Sequence, residues 1–251
     1  MNTVPKLKIH GLTDEGLVRE HNEDYISWDD EKGLLILADG MGGHNAGEVA
    51  SELAVKSITS ALEDVLSPEV KDTCEVNFED AVKEAVVYAN DEINQHAKEH
   101  PECHGMGTTI VMALFQDEFV ILGSVGDSRI YRFRQGELKQ ITTDHSLVQE
   151  MIDNGYMSEE EALNSTNRNL ITRALGIADN VDVDVARHET QPGDIYLLCS
   201  DGLSDMVIDE DIFSVLVKAR NDINRACQDL VDLAKENGGH DNVSVILAEL
   251  K

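Results

Sequence analysis

Three short apolar segments follow one another closely in the middle of the chain, and their spacing limits the fold. They lie at 108–114, 118–125 and 129–134, with three residues between each and the next. Parallel strands need a crossover of a dozen or more residues, so this spacing predicts antiparallel hairpins. The residues that separate the segments include Asp117 and Gly126-Asp127-Ser128, which are typical of tight turns.

Amphipathic patterns with helical spacing flank this strand-rich region. They predict helices over 46–65, 78–97, 209–219 and 223–236. Further strand-like segments lie at 7–12, 25–28, 34–38, 182–188, 194–199 and 243–250, and a polar, helix-prone region lies at 146–166. Each pair of helices must bury its apolar stripes against one face of a sheet. The pattern therefore predicts an α+β fold, an αββα four-layer sandwich of two antiparallel β-sheets flanked by pairs of helices.

Bulk properties narrow the class of protein. No Pro-, Ser- or Gly-rich linker divides the 251 residues, so we expect a single domain over 1–251. Residues 1–8 lack the apolar core of a signal peptide, and no apolar run is long enough to span a bilayer, so we expect a cytoplasmic protein. The net charge of -29 would repel nucleic acid and anionic membranes, and it is compatible with metal cations or basic proteins. A solvated acidic surface explains most of this charge equally well.

The four cysteines do not form a recognisable metal or disulfide motif. They are Cys74, Cys103, Cys199 and Cys227, and no CxxC spacing occurs among them. Cys199 lies inside an apolar strand-like run, where a reduced thiol packed in the core is expected.

Five acidic residues stand where apolar segments give way to turns. A carboxylate at the end of a buried strand is costly unless a cation meets it, so five such positions suggest one shared cation site. Glycine follows two of them directly, and Gly40 permits a backbone geometry that turns its carbonyl toward the same point as the preceding carboxylate. The five acids are Glu23, Asp39, Asp127, Asp201 and Asp241.

Oxygen ligands without a Cys or His cluster favour Mg²⁺ or Mn²⁺ over zinc. Two such ions roughly 3.5–4 Å apart can generate a hydroxide from a bridging water and stabilise both ends of an in-line displacement, most often at a phosphate ester. Arg19 lies just ahead of Glu23, and a guanidinium suits phosphate oxygens better than an ammonium does. A surface salt bridge is the alternative for Arg19, and a hairpin turn is the alternative for Asp127.

The motifs, taken in order, resemble the metal-dependent protein phosphatase family (type 2C, PPM), particularly its bacterial serine/threonine phosphatases. The resemblance runs from residue 10 to the end of the chain, and so many ordered motifs make chance an implausible explanation. The matching segments are Gly16-Leu-Val-Arg-Glu-His-Asn-Glu-Asp24, Ala38-Asp-Gly-Met-Gly-Gly-His44 with Ala46-Gly47-Glu48, Gly105-Met-Gly-Thr-Thr109, Val125-Gly-Asp-Ser-Arg-Ile-Tyr131, Asp144-His145-Ser146, Leu170-Ile-Thr-Arg-Ala-Leu-Gly176, Ser200-Asp-Gly-Leu203 and Gly239-His-Asp-Asn-Val243.

The resemblance implies the αββα sandwich, with a metal centre in a cleft at one end of the sheets. It implies a serine/threonine protein phosphatase that hydrolyses phosphoserine and phosphothreonine by in-line attack of a bimetal-activated water, with no covalent enzyme intermediate. The cofactors would be two Mn²⁺ or Mg²⁺ ions and a third, weaker one. No cysteine has an arginine six positions later, which agrees with the absence of a cysteine nucleophile.

Carried over position by position, the resemblance implies a role for each site residue. Asp39 would bridge the two ions, and the Gly40 carbonyl would bind one of them. Asp201 and Asp241 would complete the other.

The remaining roles concern water, phosphate and the third ion. Glu23 would act mostly through metal-bound water, and Arg19 would bind the substrate phosphate. Asp127 would help to hold the third ion together with Asp201.

The sequence leaves alternatives for His44 and for the segment at about 151–168. His44 is a candidate general acid for the leaving oxygen, although relatives outside the bacteria have histidine directly after Asp-Gly, where this chain has Met41. The segment at about 151–168 corresponds to the variable flap of the family, and a solvated helix and loop explain its polarity equally well. Asp144 is expected near the N-terminus of a helix that follows it.

Expected partners are phosphorylated protein substrates of a cognate serine/threonine kinase, and the chain is expected to be a monomer. Two hypotheses from other classes compete with the enzyme. One is a catalytically silent scaffold, which loss of ligands would indicate, but each core carboxylate is present. The other is an acidic protein that sequesters a basic partner, which the ordered motifs argue against.

Overall fold

A computed structural model describes residues 4–42, 46–67, 76–158, 161–162, 165, 167, 170–218 and 222–251. Within these residues the strands are β1 (Leu7–Asp14), β2 (Asp24–Asp29), β3 (Leu34–Met41), β4 (Gly107–Thr108), β5 (Ile110–Gln116), β6 (Phe119–Val125), β7 (Arg129–Arg134), β8 (Glu137–Gln140), β9 (Asp184–Glu189), β10 (Ile195–Cys199) and β11 (Val243–Leu250). The helices are α1 (Ala46–Glu63), α2 (Phe78–Glu99), α3 (Leu147–Asp153), α4 (Asp201–Ser204), α5 (Asp209–Lys218) and α6 (Ile223–Glu236), with a 3₁₀ turn at Pro101–Cys103.

The strands form two antiparallel sheets. One sheet has the order β1-β11-β10-β7-β8, and the other has the order β2-β3-β5-β6-β9 with β4 paired to β3. The hairpins expected in the middle of the chain are present, since β5 pairs with β6 and β7 pairs with β8. The prediction of antiparallel pairing is confirmed.

Side chains that alternate along the strands sort into three apolar layers. In β3, Leu34 and Ile36 pack under α1 and α2, whereas Leu35 and Leu37 face the sheet that contains β10. In β10, the odd-numbered residues pack under α5 and α6, and the even-numbered ones face the sheet that contains β3. Because each sheet has helices on its outer face and the other sheet on its inner face, the αββα sandwich is confirmed.

Side-chain caps explain where several helices begin. Asn77 accepts a hydrogen bond from the backbone of Asp80 before α2, and Asp222 accepts one from Arg225 before α6. Ser146 accepts one from Gln149 before α3. These caps satisfy backbone N–H groups that have no partner within the helix.

Several local predictions were wrong. Asp144 does precede a helix, as expected, but it does not cap α3, since Ser146 is the cap and Asp144 pairs with Arg129. The helix-prone region at 146–166 is not one continuous helix, because α3 stops at Asp153 and helical structure returns at 161–162. Asp39 lies inside β3 rather than in a turn after it, and its neighbour Gly40 pairs with Thr108 across β3 and β4.

Some predictions concern residues outside the described ranges. His44 is one of them, and so is a large part of the flap at 151–168. Among the three cysteines that the structure describes, Cys103, Cys199 and Cys227 are buried and unbonded to one another, as expected for reduced thiols. No helix in the described part of the chain combines the length and apolarity needed to cross a membrane.

Candidate metal centre

The acidic residues come together at one end of the sandwich. Asp24 begins β2 directly opposite Asp39, near the end of β3. In the other sheet, Asp201 follows the end of β10, and Asp241 precedes the start of β11, which pairs antiparallel with β10. Each sheet therefore contributes carboxylates to the same edge.

The apolar layer between the sheets becomes polar at this edge. Asp39 continues the face of β3 that carries Leu35 and Leu37, and both leucines are fully buried. Ser200 and Ser244 extend the corresponding faces of β10 and β11, and both serines are fully buried. The acids thus lie at the edge of the buried apolar layer between the two sheets.

Burial and mutual repulsion make Asp39 and Asp201 costly to ionise. Burial raises the pKa of Asp39 well above its ordinary value, and Asp24, Asp201, Asp127 and Asp241 raise it further. Burial likewise raises the pKa of Asp201, followed by repulsion from Asp127 and Asp241. These shifts show that the carboxylates from both sheets interact electrostatically.

Asp24 belongs to this group, although it was not among the predicted site residues. Its Oδ2 accepts a hydrogen bond from Ser200 Oγ at 2.9 Å, and its Oδ1 has no partner among the described residues. Burial raises its pKa to about 6. The available signal was its position in β2, since Asp24 shares the inward face of Ile26.

Arg19 reaches the centre from the loop before β2. Its guanidinium donates a hydrogen bond to Asp241 Oδ2 at 2.6 Å, and its side chain is 50% exposed. That hydrogen bond raises the pKa of Arg19, and the charge of Glu23 adds to the effect. The predicted phosphate-binding residue therefore contacts a predicted metal ligand.

Asn242 fixes this loop, and its role was not predicted from the sequence. Its side chain accepts a hydrogen bond from the backbone N–H of Glu23 at 2.9 Å. It also donates to the carbonyl oxygens of Glu15 and His21 at 3.0 and 2.9 Å. Because one buried amide holds three points of the loop, Glu23 is placed relative to β11. Burial raises the pKa of Glu23, and Arg19 opposes the shift.

Close backbone contacts require glycine beside the acids. A Cβ on Gly40 would lie 2.2 Å from the carbonyl oxygen of Gly47 and 2.5 Å from that of Glu23. A Cβ on Gly202 would lie 1.9 Å from the carbonyl oxygen of Asn242. Gly40 is thus required for space within a strand, a reason that the sequence alone does not show.

Asp127 lies in the short loop between β6 and β7. It is 7% exposed, and its Oδ1 has no hydrogen-bond partner in the described part of the chain. Burial raises its pKa to about 6, and repulsion from Asp144 and Asp205 contributes. Of the charges around Asp201, that of Asp127 raises the Asp201 pKa most, which places Asp127 on that side of the centre.

The donor set fits divalent cations. Unpartnered oxygens on Asp24 and Asp127 and the raised pKa values of Asp39 and Asp201 indicate carboxylates that lack a compensating charge. Within the described ranges, however, no three Asp, Glu, His or Cys side chains already form a closed cage around one point. Open, oxygen-only sites of this kind suit Mg²⁺ or Mn²⁺, which retain several waters.

Comparison with known proteins identifies relatives along nearly the whole chain. A profile of the family described as protein phosphatase 2C matches residues 18–237. The serine/threonine phosphatase stp of Listeria monocytogenes serovar 1/2a is 37% identical over 244 residues, which cover 94% of this chain and 93% of that protein. The serine/threonine protein phosphatase PstP of Mycobacterium tuberculosis is 39% identical over 244 residues, which cover 97% of this chain but 45% of that protein.

Solved structures agree. The crystal structure of M. tuberculosis PstP/Ppp superposes with a TM-score of 0.88 at 40% identity and covers 98% of this chain and 99% of that one. A structure of the PstP catalytic domain in complex with two manganese ions has a TM-score of 0.84 at 39% identity and covers 97% of this chain and 98% of that one. On the profile match, the full-length relatives and the shared fold, the chain belongs to the protein phosphatase 2C family.

Proposed function

We propose that the acidic end of the sandwich is the active site of a metal-dependent serine/threonine protein phosphatase. The observation that carries this proposal is the convergence of Asp39 and Asp201, from different sheets, as carboxylates with strongly raised pKa values. Relatives named as serine/threonine phosphatases, and the manganese-bound structure of one of them, support the same activity.

The metal ligands are proposed from geometry and family resemblance together. Asp39 would be shared by both ions, the Gly40 carbonyl would serve one of them, and Asp201 and Asp241 would serve the other. Glu23 would bind through water, and Asp127 would hold a third, weaker ion with Asp201. When bound, Mn²⁺ or Mg²⁺ ions supply an activated water and positive charge for the phosphate oxygens.

Arg19 would hold the substrate phosphate. Its half-exposed guanidinium already stands 2.6 Å from Asp241, so a phosphate beside the metals lies within its reach. The planar fork of arginine can donate two parallel hydrogen bonds to phosphate oxygens, which fixes the orientation of the ester for in-line attack.

The reaction forms one bond from water oxygen to phosphorus and breaks the bond from phosphorus to the serine or threonine oxygen. The leaving oxygen takes up a proton, for which His44 is the candidate donor. Neither Cys199 nor Cys227 is suited to act as a nucleophile, because burial raises the pKa of each thiol to about 12. Thiols with such pKa values stay protonated at neutral pH.

We also propose the biological setting. The substrates would be phosphoproteins of a cognate serine/threonine kinase, handled by a cytoplasmic monomer that folds as one domain. The net charge of -29 favours substrates with basic residues around the phosphorylated position. The flap at 151–168 would contribute to that selection.

The test is Mn²⁺-dependent hydrolysis of a phosphothreonine peptide. Asp39→Asn and Asp201→Asn should each lower kcat by at least about 100-fold, since metal ions contribute several kcal/mol of charge stabilisation. Glu84→Gln is the matched control, because Glu84 is an exposed acid on α2, and it should retain full turnover. Unchanged turnover in both aspartate variants would contradict the two-metal site. No turnover by the wild-type protein with any divalent ion would favour the scaffold hypothesis.

A further inference from the structure

The dipeptide Asp144-His145, between β8 and α3, contacts the loop of Asp127 from both sides. On one side, the backbone N–H of Gly126 donates to His145 Nδ1 at 3.0 Å, and the backbone N–H of His145 donates to the Gly126 carbonyl at 2.9 Å. His145 is 6% exposed, so both bonds are shielded from water. The residue before Asp127 is therefore fixed by a pair of buried hydrogen bonds.

On the other side, Asp144 holds Arg129. The guanidinium donates from Nε to both carboxylate oxygens, at 3.1 and 3.0 Å, and from Nη2 to Oδ2 at 2.7 Å. Gln140 donates a further hydrogen bond to Asp144 at 2.8 Å. Two adjacent residues thus immobilise the short loop that carries Asp127.

The far edge of the His145 ring faces β9 and the segment that precedes it. Its Nε2 lies 3.3 Å from Asp184 Oδ2 and 3.2 Å from the guanidinium of Arg173. Arg173 in turn donates to Asp184 Oδ1 at 2.9 Å. Because Nδ1 accepts from a backbone N–H, a neutral ring carries its proton on Nε2, and of the two neighbours only the Asp184 carboxylate can accept it, since a guanidinium has donors alone.

The same histidine lies where the chain enters and leaves the flap, at residues 145–147 and 170–172, which we call the base of the flap. The backbone N–H of Thr172 donates to the His145 carbonyl at 2.8 Å, and that of Leu147 donates to the Leu170 carbonyl at 2.9 Å. Ser146 and Ile171 form an isolated antiparallel bridge between these bonds. His145 therefore touches the base of the flap, β9 and the Asp127 loop at once.

We propose that His145 is a positioning residue that couples the base of the flap to the Asp127 loop through the two edges of one ring. Nδ1 holds the loop, Nε2 faces Asp184, which also holds Arg173, and a displacement at the flap base moves Asp127 relative to Asp201. The proposal rests on the proposed function, because it gives the flap an influence on the weaker ion site. It predicts that substrate engagement by the flap and occupancy of that site depend on each other.

The test is a double-mutant cycle between Asp184→Ala and His145→Asn. After His145→Asn the new amide oxygen can take the place of Nδ1 as acceptor, whereas nothing in that shorter side chain replaces Nε2. The Asp184 side chain is 51% exposed, so its truncation should leave the fold intact. His188→Asn, at the opposite end of β9, is the matched histidine control.

Two readouts are needed. The first is amide hydrogen exchange at Gly126 in the metal-free protein, and the second is Mn²⁺ binding followed by electron paramagnetic resonance. In the wild-type background Asp184→Ala should raise Gly126 exchange and weaken the lower-affinity Mn²⁺ site by at least roughly threefold. In the His145→Asn background the same change should have no effect on either.

Equal effects of Asp184→Ala in both backgrounds, or no effect in either, would overturn the coupling. His145→Ala removes the acceptor as well, so it should raise Gly126 exchange by roughly fivefold or more, the equivalent of one lost hydrogen bond. The exchange readout requires neither metal nor turnover. A wild-type protein without phosphatase activity would therefore refute the proposed function while leaving this coupling measurable.

Discussion

At the scale of single residues, burying carboxylates without a cation lowers the stability of the folded chain. Asp24 shows this most clearly, because burial raises its pKa to about 6 from an ordinary value of 3.8. Well below the ordinary pKa the folded and unfolded chains both hold this proton. As pH rises from about 4 to about 6, the unfolded chain releases this proton while the folded chain still holds it, so stability is lost.

Asp24→Asn should therefore stabilise the metal-free protein at pH 8. The shift in pKa corresponds to about 2–3 kcal/mol, or about 5–10 °C in Tm for a chain of this size. The amide carbonyl of the substituted side chain can still accept from Ser200. Thermal unfolding in a chelator should show the full difference at pH 8 and only a small remainder near pH 4. A gap of the same size at both pH values would point to packing instead of charge.

Arg19→Lys should impair catalysis while leaving metal binding nearly intact. Lysine keeps the charge but lacks the planar fork, so a bidentate contact to phosphate is lost, which corresponds to roughly a 10- to 100-fold decrease in kcat/KM. Steady-state kinetics and Mn²⁺ titration of the same variant separate the two effects. Arg225→Lys, in an exposed pair with Asp229 on α6, is the control and should match wild type.

At the scale of elements, the loop between β1 and β2 presents two apolar side chains beside the site. Leu17 and Val18 are 62% and 61% exposed and directly precede Arg19. The backbone N–H of Leu17 donates to the Gly239 carbonyl at 2.8 Å, which fixes this apolar lip. A rigid, exposed apolar surface next to the phosphate site is suited to contact a substrate side chain.

Leu17→Ser and Val18→Ser should accordingly raise KM for a phosphothreonine peptide by roughly 5- to 20-fold, given the transfer energy of a large apolar side chain. KM for a small aryl phosphate, which is too short to reach the lip, should not change. Val217→Ser on α5 removes another exposed valine elsewhere and serves as the control. A parallel rise for both substrates would assign the loop to phosphate binding instead.

The long periodic elements could be predicted from the sequence, and the short polar ones could not. The apolar runs of β3, β10 and β11 and the wide stripes of α1 and α6 give strong signals because burial dictates their residues. The strand Glu137–Gln140 is polar and exposed at two of its four positions, and Gly107–Thr108 has only two residues. Their pairing is decided by neighbouring strands, which a local pattern does not contain.

The site divides in the same way. Arg19, Glu23, Asp39, Asp127, Asp201 and Asp241 were predicted as site residues, and the structure brings them to one end of the sandwich. Asp24 and Asn242 were missed because their importance lies in what they meet across the fold, Ser200 for the first and three backbone groups of a distant loop for the second. Whether His44 acts as the acid stays a prediction.

At the scale of the whole molecule, the net charge of -29 adds to the repulsion within the centre. At a concentration 100-fold above Kd, Mn²⁺ should raise the free energy of unfolding by about 2.7 kcal/mol, and Tm should rise accordingly. Asp39→Asn and Asp201→Asn should lose most of this shift, and Glu84→Gln should keep it. Thermal unfolding across a Mn²⁺ series measures the effect, and equal shifts in all variants would mean that the ion binds diffusely to the acidic surface.

The two sheets meet through an apolar layer, yet the acids at its mouth come from both of them, Asp24 and Asp39 from one and Asp201 and Asp241 from the other. The attraction between apolar faces has no direction, so it favours contact between the sheets without holding particular atoms together. Ions bound by carboxylates from both sheets would cross-link the sheets at this end. How firmly the two sheets are held together would then depend on metal ions that the protein exchanges with its surroundings.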